Sequence, residues 1–499
     1  MATAVQQAQA LEDPRSQSFA LGSLAMVYEH TQQWQSAQHL TQQALQILQF
    51  SPDLAYRWQW QLGRILKAQG DRTGAIAAYE AALQSLQTIR GDLVAMNPAV
   101  QFSFRQSVEP VYRQLVMLLL QMGTPTQADL RQARSTIEAL QLAELDNFYR
   151  AACVSANPIL LDQVVDQVDP AAAVVYPIIL ADHLEVILKL PRQLELQHYS
   201  VSLPPGQVEK ILEQLQQQLT RPYTTPEGKA LARQVYDWLI RPAEAMLAQY
   251  QVETLAFVMD GSLRNLPMAA LYDGRHYLVE RYRIARAPGL QLLDMAPLAQ
   301  QPLQVLKGGL TEARQGFAAL PYVGQELRAI QSIMPGRTLL NQAFTVANLQ
   351  QQFNAHPFSI VHLATHGQFS SRSADTFLLA WDRRINVNEL HELFLATDRR
   401  QTAIQLLVLS ACKTAAGDRR AALGLAGIAL RAGARSTLAS LWYADDQSSA
   451  LLIQSFYQGL GQGMSKAAAL RHAQLQLLKS PDFRHPAYWA GFVLLGNWL

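Results

Sequence analysis

The apolar positions of residues 17–90 recur with helical spacing, and the pattern repeats itself along the chain. The positions that repeat after 38 residues are Leu24 and Leu62, Ala25 and Gly63, Tyr28 and Leu66, Ala37 and Ala75, Thr41 and Tyr79, and Ala44 and Ala82. Small residues at three of these positions let neighbouring helices approach closely, as in arrays of helix-turn-helix repeats. The pattern therefore predicts two helical hairpins.

Residues 109–145 predict a further helix pair, which we interpret as a degenerate repeat or a cap. The segment 17–150 as a whole resembles the tetratricopeptide repeat, whose usual period is about 34 residues, and extra residues around 50–53 explain the longer period. The resemblance implies a concave face that binds a protein or peptide, preceded by a tail at residues 1–16. An α-helical domain with a coincidental register is the alternative.

Beyond residue 170 the pattern changes to short apolar runs that alternate with helical stretches. Such runs suit strands buried on both faces, and the helical stretches suit crossovers between parallel strands. The predicted strands are 173–180, 184–190, 254–260, 304–310, 358–366, 376–381, 404–412 and 434–442, with a helical insertion at 193–248. Beyond a linker at 151–170 we therefore expect an α/β fold with a largely parallel sheet flanked by helices, in one or two sub-domains.

Two of the predicted strands lead into reactive side chains. The run 358–366 delivers His366 just past its last apolar residue, followed by Gly367, and the run 404–412 delivers Cys412 in the same way. In open α/β sheets, ligands bind beyond the carboxyl ends of the parallel strands. If the two strands are neighbours, the imidazole and the thiol face each other across one crevice.

This pair has the parts that thiol acyl transfer requires. His366 would accept the thiol proton so that Cys412 attacks a peptide carbonyl, and would then protonate the leaving amine. The backbone N–H groups of Gly367 and Cys412 are candidate donors to the oxyanion. No third carboxylate is evident. Taken singly, a cysteine or a histidine at a strand end is more often a buried structural residue.

Net charge and cysteine content bear on the partners and the cellular compartment of the protein. Lys and Arg total 41 against 39 Asp and Glu, and the formal charge of +2 is too small to gather nucleic acid or an anionic membrane surface. Cys153 and Cys412 form no zinc or disulfide pattern, and the first residues lack the regions of a signal peptide. We therefore expect a cytoplasmic protein with no nucleic-acid and no membrane partner.

A cofactor is not expected either. Three glycines lie inside a helical pattern with no strand directly before them, so close helix packing explains them better than a nucleotide-binding loop. These glycines are Gly424, Gly427 and Gly433.

Longer stretches around the two motifs resemble a known family. The runs ATHGQF and VLSACKT are similar to the His and Cys motifs of CHAT domains, caspase-like domains found beside tetratricopeptide repeats and grouped with caspases and separases. The similarity extends through LAFVMDGSLRNLPMAALYDG, LPYVGQEL, GLAGIALRAGARSTLASLWYADD and HPAYWAGFVLLG. It implies a pseudo-caspase-like part at 171–300 and a catalytic part at 301–499, with His366 as general base and Cys412 as nucleophile. Lys413 stands where the family commonly has Glu or Gln.

The resemblance also implies a pocket for the side chain that precedes the scissile bond. In caspase folds, the residue two before the cysteine and the segment after the following strand line this pocket, which here are Ser410 and the segment from Trp442 to Asp446. Asp445 and Asp446 would select a basic residue by ion pairing. Capping of the helix that begins near Gln447 explains both aspartates equally well, and Trp442 suits either the pocket wall or the core.

The leading hypothesis is a cysteine endopeptidase that cleaves a protein or peptide substrate, with the substrate or a regulatory protein recruited by the helical repeats. The rival hypothesis is a catalytically silent interaction scaffold with a caspase-like fold. A thiol hydrolase acting on small molecules is a third. The presence of both His366 and Cys412 favours an enzyme over a scaffold.

Overall fold

The computed structural model describes residues 2–48, 51–89, 104–121, 124–149, 159–223, 225–287, 289, 291–292, 295, 297–298, 303–370, 375–398, 404–414, 434–442 and 445–499. The chain divides into two compact units, Met1–Ala152 and Cys153–Leu499. Helices build the described part of the first unit, whereas the second contains both helices and strands.

Helical hairpins form the first unit. Its helices are α1 Ala2–Ala10, α2 Pro14–His30, α3 Trp34–Ile47, α4 Pro52–Ala68, α5 Arg72–Thr88, α6 Glu109–Gln121 and α7 Gln127–Tyr149, with a π-helical turn at Phe104–Val108. Pro52 begins α4 38 residues after Pro14 begins α2, and Arg72 begins α5 38 residues after Trp34 begins α3. The predicted repeat is therefore present in the structure. The segment 1–16, expected as a tail, contains α1 and the first residues of α2.

The small residues of the repeat lie where its helices pack most closely. Five alanines at these positions have no exposed surface: Ala25, Ala37, Ala44, Ala75 and Ala82, each at 0%. A Cβ atom at Gly63 would lie 2.9 Å from ring carbons of Tyr79, which is closer than a packed core tolerates. The close approach that the sequence predicted thus depends on the absence of larger side chains.

Polar side chains connect one hairpin to the next. The guanidinium of Arg64 donates two hydrogen bonds to the carboxylate of Glu29, at 2.6 and 2.9 Å. The indole of Trp60 and the hydroxyl of Tyr79 both donate to Oε1 of Gln114, at 2.7 and 2.9 Å. Bidentate and shared bonds of this kind fix the register between α2, α4, α5 and α6.

One mixed sheet runs through the described part of the second unit. Its strands are β2 Ala172–Ile179, β3 His183–Lys189, β4 Gln197–Ser202, β5 Thr254–Val258, β6 Arg283–Ala287, β8 Val305–Gly309, β9 Gly336–Leu340, β10 Ile360–Phe369, β11 Phe377–Leu379, β12 Arg384–Asn386, β13 Leu406–Thr414, β14 Ser436–Ser440 and β15 Phe492–Gly496. Two short strands, β1 Ile159–Leu160 and β7 Gln291–Leu292, pair separately. The regions 171–300 and 301–499 share the one sheet.

The strand order from one edge is β9-β8-β10-β13-β14-β15-β6-β5-β2-β3-β4, and the hairpin β11–β12 pairs with the far end of β10. Parallel pairing joins β9, β8, β10, β13 and β14, and also β15, β6, β5 and β2. All eight predicted strands are present, and the predicted fold class, a largely parallel sheet flanked by helices, is confirmed. Five strands of this sheet were not predicted, namely β4, β6, β9, β12 and β15. The edge strands β4 and β9 are half-exposed and lack a continuous apolar run.

Helices cover both faces of the part of the sheet that contains His366. The helices of the second unit are α8 Gln207–Leu219, α9 Thr225–Leu239, α10 Glu244–Gln249, α11 Leu278–Arg281, α12 Val323–Ile333, α13 Val346–Ala355, α14 Val387–Asp398, α15 Asp446–Gly461, α16 Lys466–Lys479 and α17 Pro486–Trp489, with short helical turns at Leu161–Gln163, Val164–Val168, Arg241–Ala243, Gly261–Asn265, Met268–Ala270 and Asn341–Ala343. A Cβ atom at Gly309 would lie 2.7 Å from Val323 of α12, and one at Gly308 would lie 2.4 Å from Phe344. Because Gly308 and Gly309 have no side chains, the segments that cover opposite faces of the sheet can pack closely against β8.

Among the described residues, no helix combines the length and the apolar character needed to cross a bilayer.

Candidate active site

The strands that carry His366 and Cys412 are parallel neighbours. Residues 360–364 of β10 pair in order with 406–410 of β13, so that Ala364 lies opposite Ser410. The parallel pairing brings the carboxyl-terminal halves of both strands to the same edge of the sheet. An imidazole and a thiol that face each other across one crevice require this adjacency, and the sheet contains it.

A β-bulge shifts the register where His366 lies. Gly367, and not His366, is the partner of Cys412, so Thr365 and His366 together oppose Ala411. Bulges of this kind bend a strand and redirect a side chain, and they are frequent beside active sites. The expectation that the strands stop at His366 and Cys412 is wrong, because β10 continues to Phe369 and β13 to Thr414. The hairpin β11–β12 supplies β10 with a partner beyond the bulge.

A loop that precedes α12 holds the His366 ring. Nε2 of His366 lies 2.7 Å from the carbonyl oxygen of Ala318, and the ring of Phe317 stacks on the imidazole at 5.0 Å between centroids and 29° between planes. A carbonyl oxygen can only accept a hydrogen bond, so Nε2 carries a proton in this contact. In the neutral ring, Nδ1 is then the basic nitrogen. His366 is 8% exposed.

Backbone hydrogen bonds anchor this loop at both ends. Leu310 donates to the carbonyl of Ala364, directly before the bulge, at 3.1 Å. Leu320 donates to the carbonyl of Thr311 at 3.2 Å, which closes the loop on itself. The Tyr322 amide donates to Oδ2 of Asp446 at 2.9 Å. The carbonyl that faces His366 is therefore held by the sheet on one side and by α15 on the other.

The backbone of Cys412 is placed by β13, while its side chain and Cys153 lie outside the described residues. Gly367 is buried and pairs on both sides, with Cys412 across one edge of β10 and with Leu378 across the other. The two proposed oxyanion donors, Gly367 and Cys412, are thus direct cross-strand neighbours. Lys413 follows in the same strand, opposite Gln368.

Ser410 lies in the core beneath this edge. It is 1% exposed, and its hydroxyl donates to Oε2 of Glu326 at 3.3 Å. Oε1 of the same carboxylate lies 2.8 Å from Nε2 of His362, which is 0% exposed. The hydroxyl of Tyr457 lies 3.3 Å from Nδ1 of His362. Ser410 belongs to a buried polar cluster formed with Glu326, His362 and Tyr457.

Trp442 and Asp445 have structural contacts. Trp442 is 7% exposed and its indole donates to the carbonyl of Ala487 at 3.0 Å. A Cβ atom at Gly491 would lie 2.8 Å from the Trp442 ring, so the indole packs against backbone. Asp445 is exposed and accepts a hydrogen bond from the Ser448 amide at 2.8 Å, as the N-cap of α15. The structure contains the capping contact that the sequence offered as one of two interpretations.

Asp446 faces the candidate site more directly. It is half-buried, and burial raises the pKa of its carboxyl, with further raising by the nearby charges of Glu326 and Asp445. The Tyr322 amide and the charge of His366 act in the opposite direction and lower the pKa of Asp446. Asp446 therefore lies within electrostatic reach of both His366 and the buried Glu326.

Several residues of this site escaped the sequence argument. Ala318 acts through its carbonyl, which no side-chain motif reveals, and Phe317 lies in a loop without a periodic pattern. Glu326 was within the segment LPYVGQEL that supported the family resemblance, and His362 lies four residues before His366. A second histidine on the same strand was the available signal for the buried cluster. In the described part of the chain, no group of three His, Cys, Asp or Glu side chains is arranged to hold a metal ion.

The family model named CHAT domain matches residues 229–497. The chain belongs to the CHAT domain family. Among curated proteins, human tetratricopeptide repeat protein 28 is 24% identical over 327 residues, which covers 54% of this chain and 13% of that protein. The mouse protein of the same name is 36% identical over 98 residues, covering 19% of this chain and 4% of that protein. The chain thus spans a small fraction of the length of these relatives.

Two solved structures are among those similar to this chain. Saccharomyces cerevisiae separase, in its complex with securin, is 13% identical with a TM-score of 0.43, over 99% of this chain and 47% of that chain. The Arg-specific cysteine proteinase gingipain R is 10% identical with a TM-score of 0.36, over 59% of this chain and 74% of that chain.

Proposed function

We propose that this CHAT domain is a cysteine endopeptidase in which His366 is the general base and Cys412 the nucleophile. The observation that carries the proposal is the bulge on β10, which places Gly367 opposite Cys412 and His366 directly beside that pair. A catalytic histidine and cysteine have to be held on rigid, adjacent elements, and two paired strands satisfy this requirement.

The contact with Ala318 supports a division of roles between the two ring nitrogens. Because Nε2 donates to the Ala318 carbonyl, Nδ1 is the nitrogen that takes the proton from the Cys412 thiol. The thiolate sulfur then attacks the peptide carbonyl carbon, and the oxyanion develops beside the backbone amides of Gly367 and Cys412. His366 passes its proton to the leaving amine. Water, deprotonated by the same ring, then hydrolyses the thioester and restores the thiol.

A carbonyl takes the place that a carboxylate occupies in a Ser-His-Asp triad. The Ala318 carbonyl orients the imidazole and fixes its tautomer, as the third member of a triad does. Stacking on Phe317 adds a second constraint on the ring plane. The sequence offered no third carboxylate, and this arrangement does not require one.

A peptide probe with an electrophilic warhead tests the assignment. The probe should label the purified chain at Cys412, and labelling should disappear in Cys412→Ala and fall strongly in His366→Ala, while Cys153→Ala remains labelled. Comparison of newly formed protein N-termini in cells with wild-type or Cys412→Ala protein should reveal cleavage that depends on Cys412. Equal labelling and equal N-termini in wild type and Cys412→Ala, with full cellular function in Cys412→Ala, would favour the silent scaffold.

We further propose that the helical repeats recruit a protein substrate or regulator. Leu11 and Phe19, at 77% and 48% exposed, line one groove of the first unit, and exposed apolar side chains that share a groove mark protein interaction sites. Replacing both by serine should reduce cleavage of protein substrates in cells and leave cleavage of a short peptide unchanged. Equal losses on protein and peptide would contradict recruitment by this surface.

A further inference from the structure

A buried polar cluster lies along the two strands of the candidate site and has no part in the proposed reaction. Its members are Glu326, His362, Ser410 and Tyr457, each at most 1% exposed. One side chain, Glu326, contacts two of the others: Oε1 lies 2.8 Å from Nε2 of His362, and Oε2 accepts from Ser410 at 3.3 Å. The cluster therefore centres on a single carboxylate.

The two contacts of Glu326 fall on the two strands that carry the proposed dyad. His362 lies on β10, four residues before His366, and Ser410 lies on β13, two residues before Cys412. Each contact is thus on the segment that leads directly into a reacting residue. A change in the position of the Glu326 carboxylate therefore alters a contact on β10 and a contact on β13 at once.

Glu326 also connects these strands to the loop that holds the His366 ring. It lies in the first turn of α12, and the loop before this helix provides the Ala318 carbonyl and the Phe317 ring that contact His366. The amide of Tyr322, the N-cap of α12, binds Asp446. Three elements that determine the geometry of the dyad, namely β10, β13 and the loop, therefore meet at this one side chain.

Stability alone does not account for a carboxylate and an imidazole in this position. Oε1 of Glu326 and Nε2 of His362 are buried and close to each other without the geometry of a hydrogen bond, which costs free energy, and apolar side chains of similar volume often fill such a space without loss. We propose that Glu326 is a positioning residue, which holds the strands of His366 and Cys412 and the Ala318 loop in one arrangement. This inference rests on the proposed His366–Cys412 dyad.

Other titratable groups lie near the Glu326 carboxylate, so a variant at Glu326 changes their electrostatic surroundings as well. Lys307 of β8 is the cross-strand partner of His362, Asp446 and Tyr457 approach from α15, and His366 lies further along β10. Replacing Glu326 changes the charge near all of them. Ser410→Ala removes one of the two contacts and changes no charge, so it separates positioning from electrostatics.

The rate at which iodoacetamide alkylates Cys412, measured from pH 5 to pH 10, reports the dyad without any proteolysis. In a Cys153→Ser background, His366→Ala should alter both the rate and the pH profile. Ser410→Ala and Glu326→Gln should each slow alkylation at pH 7 by about three- to tenfold, since small misplacements of reacting groups have effects of this size or larger. Glu326→Leu should slow it further, with Gln giving partial rescue. With a peptide substrate, kcat should fall and KM should stay within about twofold.

Tyr457→Phe is the matched control, because it removes a buried hydroxyl from the same cluster and leaves both contacts of Glu326 in place. It should alkylate within about twofold of wild type even where thermal unfolding shows a loss of stability. If Glu326→Leu does not fold, the alkylation rates of Ser410→Ala and Glu326→Gln test the positioning role. Wild-type profiles in these two variants, or equal slowing in Tyr457→Phe, would overturn the positioning role while the dyad stands. If the pH profile of Cys412 alkylation in His366→Ala equals that of the wild type, the proposed dyad is refuted, and this inference with it.

Discussion

Nε2 of His366 lies 2.7 Å from the carbonyl oxygen of Ala318, and this contact places the proton of the neutral imidazole on Nε2. The carbonyl belongs to a loop whose ends are bound to the sheet and to α15. The tautomer of the proposed general base is therefore a property of loop placement. Changes that displace the loop are expected to affect the chemistry without touching either reacting side chain.

Phe317→Leu removes the aromatic ring that stacks on His366. Aromatic pairs contribute about 0.5–1.5 kcal/mol beyond burial, so alkylation of Cys412 at pH 7 should slow by about two- to tenfold. Phe483→Leu is the control, since it removes an aromatic ring that packs edge-to-face against Tyr488, away from His366. Equal rates in the two variants would show that the stack does not orient the imidazole.

Asp445 is expected to act as a helix cap. Asp445→Ala removes the acceptor of the Ser448 amide and should lower the free energy of unfolding by about 1 kcal/mol, whereas Asp445→Asn retains an acceptor and should lower it much less. Urea unfolding measures both. If Asp445 instead selects basic residues, both variants lose discrimination between peptides with Arg and with Gln before the scissile bond.

Asp446→Asn tests the raised pKa of this carboxyl. Because the folded protein holds the proton more tightly than the unfolded chain, whose value is near 3.8, wild-type stability falls as the pH rises through the window above 3.8. The asparagine variant keeps an acceptor for the Tyr322 amide and lacks this titration. Its free energy of unfolding relative to wild type should therefore increase between pH 4 and pH 7. A constant difference over this range would contradict the assignment.

Lys307 is a buried cation with an amide partner. It is 0% exposed, Nζ donates to Oε1 of Gln331 at 2.6 Å, and burial lowers its pKa to about 8. The native protein gives up this proton before the unfolded chain, whose value is 10.5, so the group should destabilise the fold below pH 8 and cease to do so by about pH 10.5.

Lys307→Met should accordingly raise the free energy of unfolding by about 1–3 kcal/mol at pH 7, with the gain shrinking as the pH approaches 10.5. Gln331→Ala, which removes the partner and keeps the cation, is the control and should not stabilise. Denaturant titrations of all three proteins at pH 7 and pH 10 provide the comparison. A gain for Lys307→Met that stays constant with pH would mean that packing, and not charge, is responsible.

Two glycine substitutions distinguish close packing from helix propensity. Gly63→Ala would place its Cβ 2.9 Å from the Tyr79 ring and should destabilise the first unit by about 1–3 kcal/mol. Gly228→Ala, in α9, meets its nearest neighbour, Gln218, at 3.5 Å and should stabilise by up to about 1 kcal/mol. Thermal unfolding followed by calorimetry measures both. Stabilisation by Gly63→Ala would refute the close approach of α4 and α5.

The elements of this chain that follow from periodicity were predictable, and the contacts that orient the site were not. The 38-residue offset and the apolar runs before His366 and Cys412 are regular patterns, because repeated packing and buried strands require them. The bulge at Thr365 and His366 has no such signature. It lies where the other edge of β10 changes partner, from β8, which pairs as far as Ala364, to β11, whose pairing begins at Gly367.

The other site contacts that the sequence did not predict involve backbone atoms or residues far apart in the chain. Ala318 contributes a carbonyl, which every residue has, and Glu326 meets His362 and Ser410 only after the sheet has formed. The sequence also left the roles of the proposed pocket residues ambiguous. The spacing of Asp445 and Asp446 suited a cap and a specificity site alike, and only the bond to Ser448 identifies Asp445 as the cap in the folded chain.

The position of β15 has a consequence for synthesis on the ribosome. This strand, Phe492–Gly496, lies between β14 and β6, and the path through the sheet from β10 and β13 to β5 and β2 passes through it. Earlier strands can pair as they emerge, but the two parts of the sheet can join only after residue 496 has left the exit tunnel. The strands of the proposed dyad, β10 and β13, emerge earlier and pair directly with each other, so they can meet on the ribosome before β15 joins their part of the sheet to β6, β5 and β2.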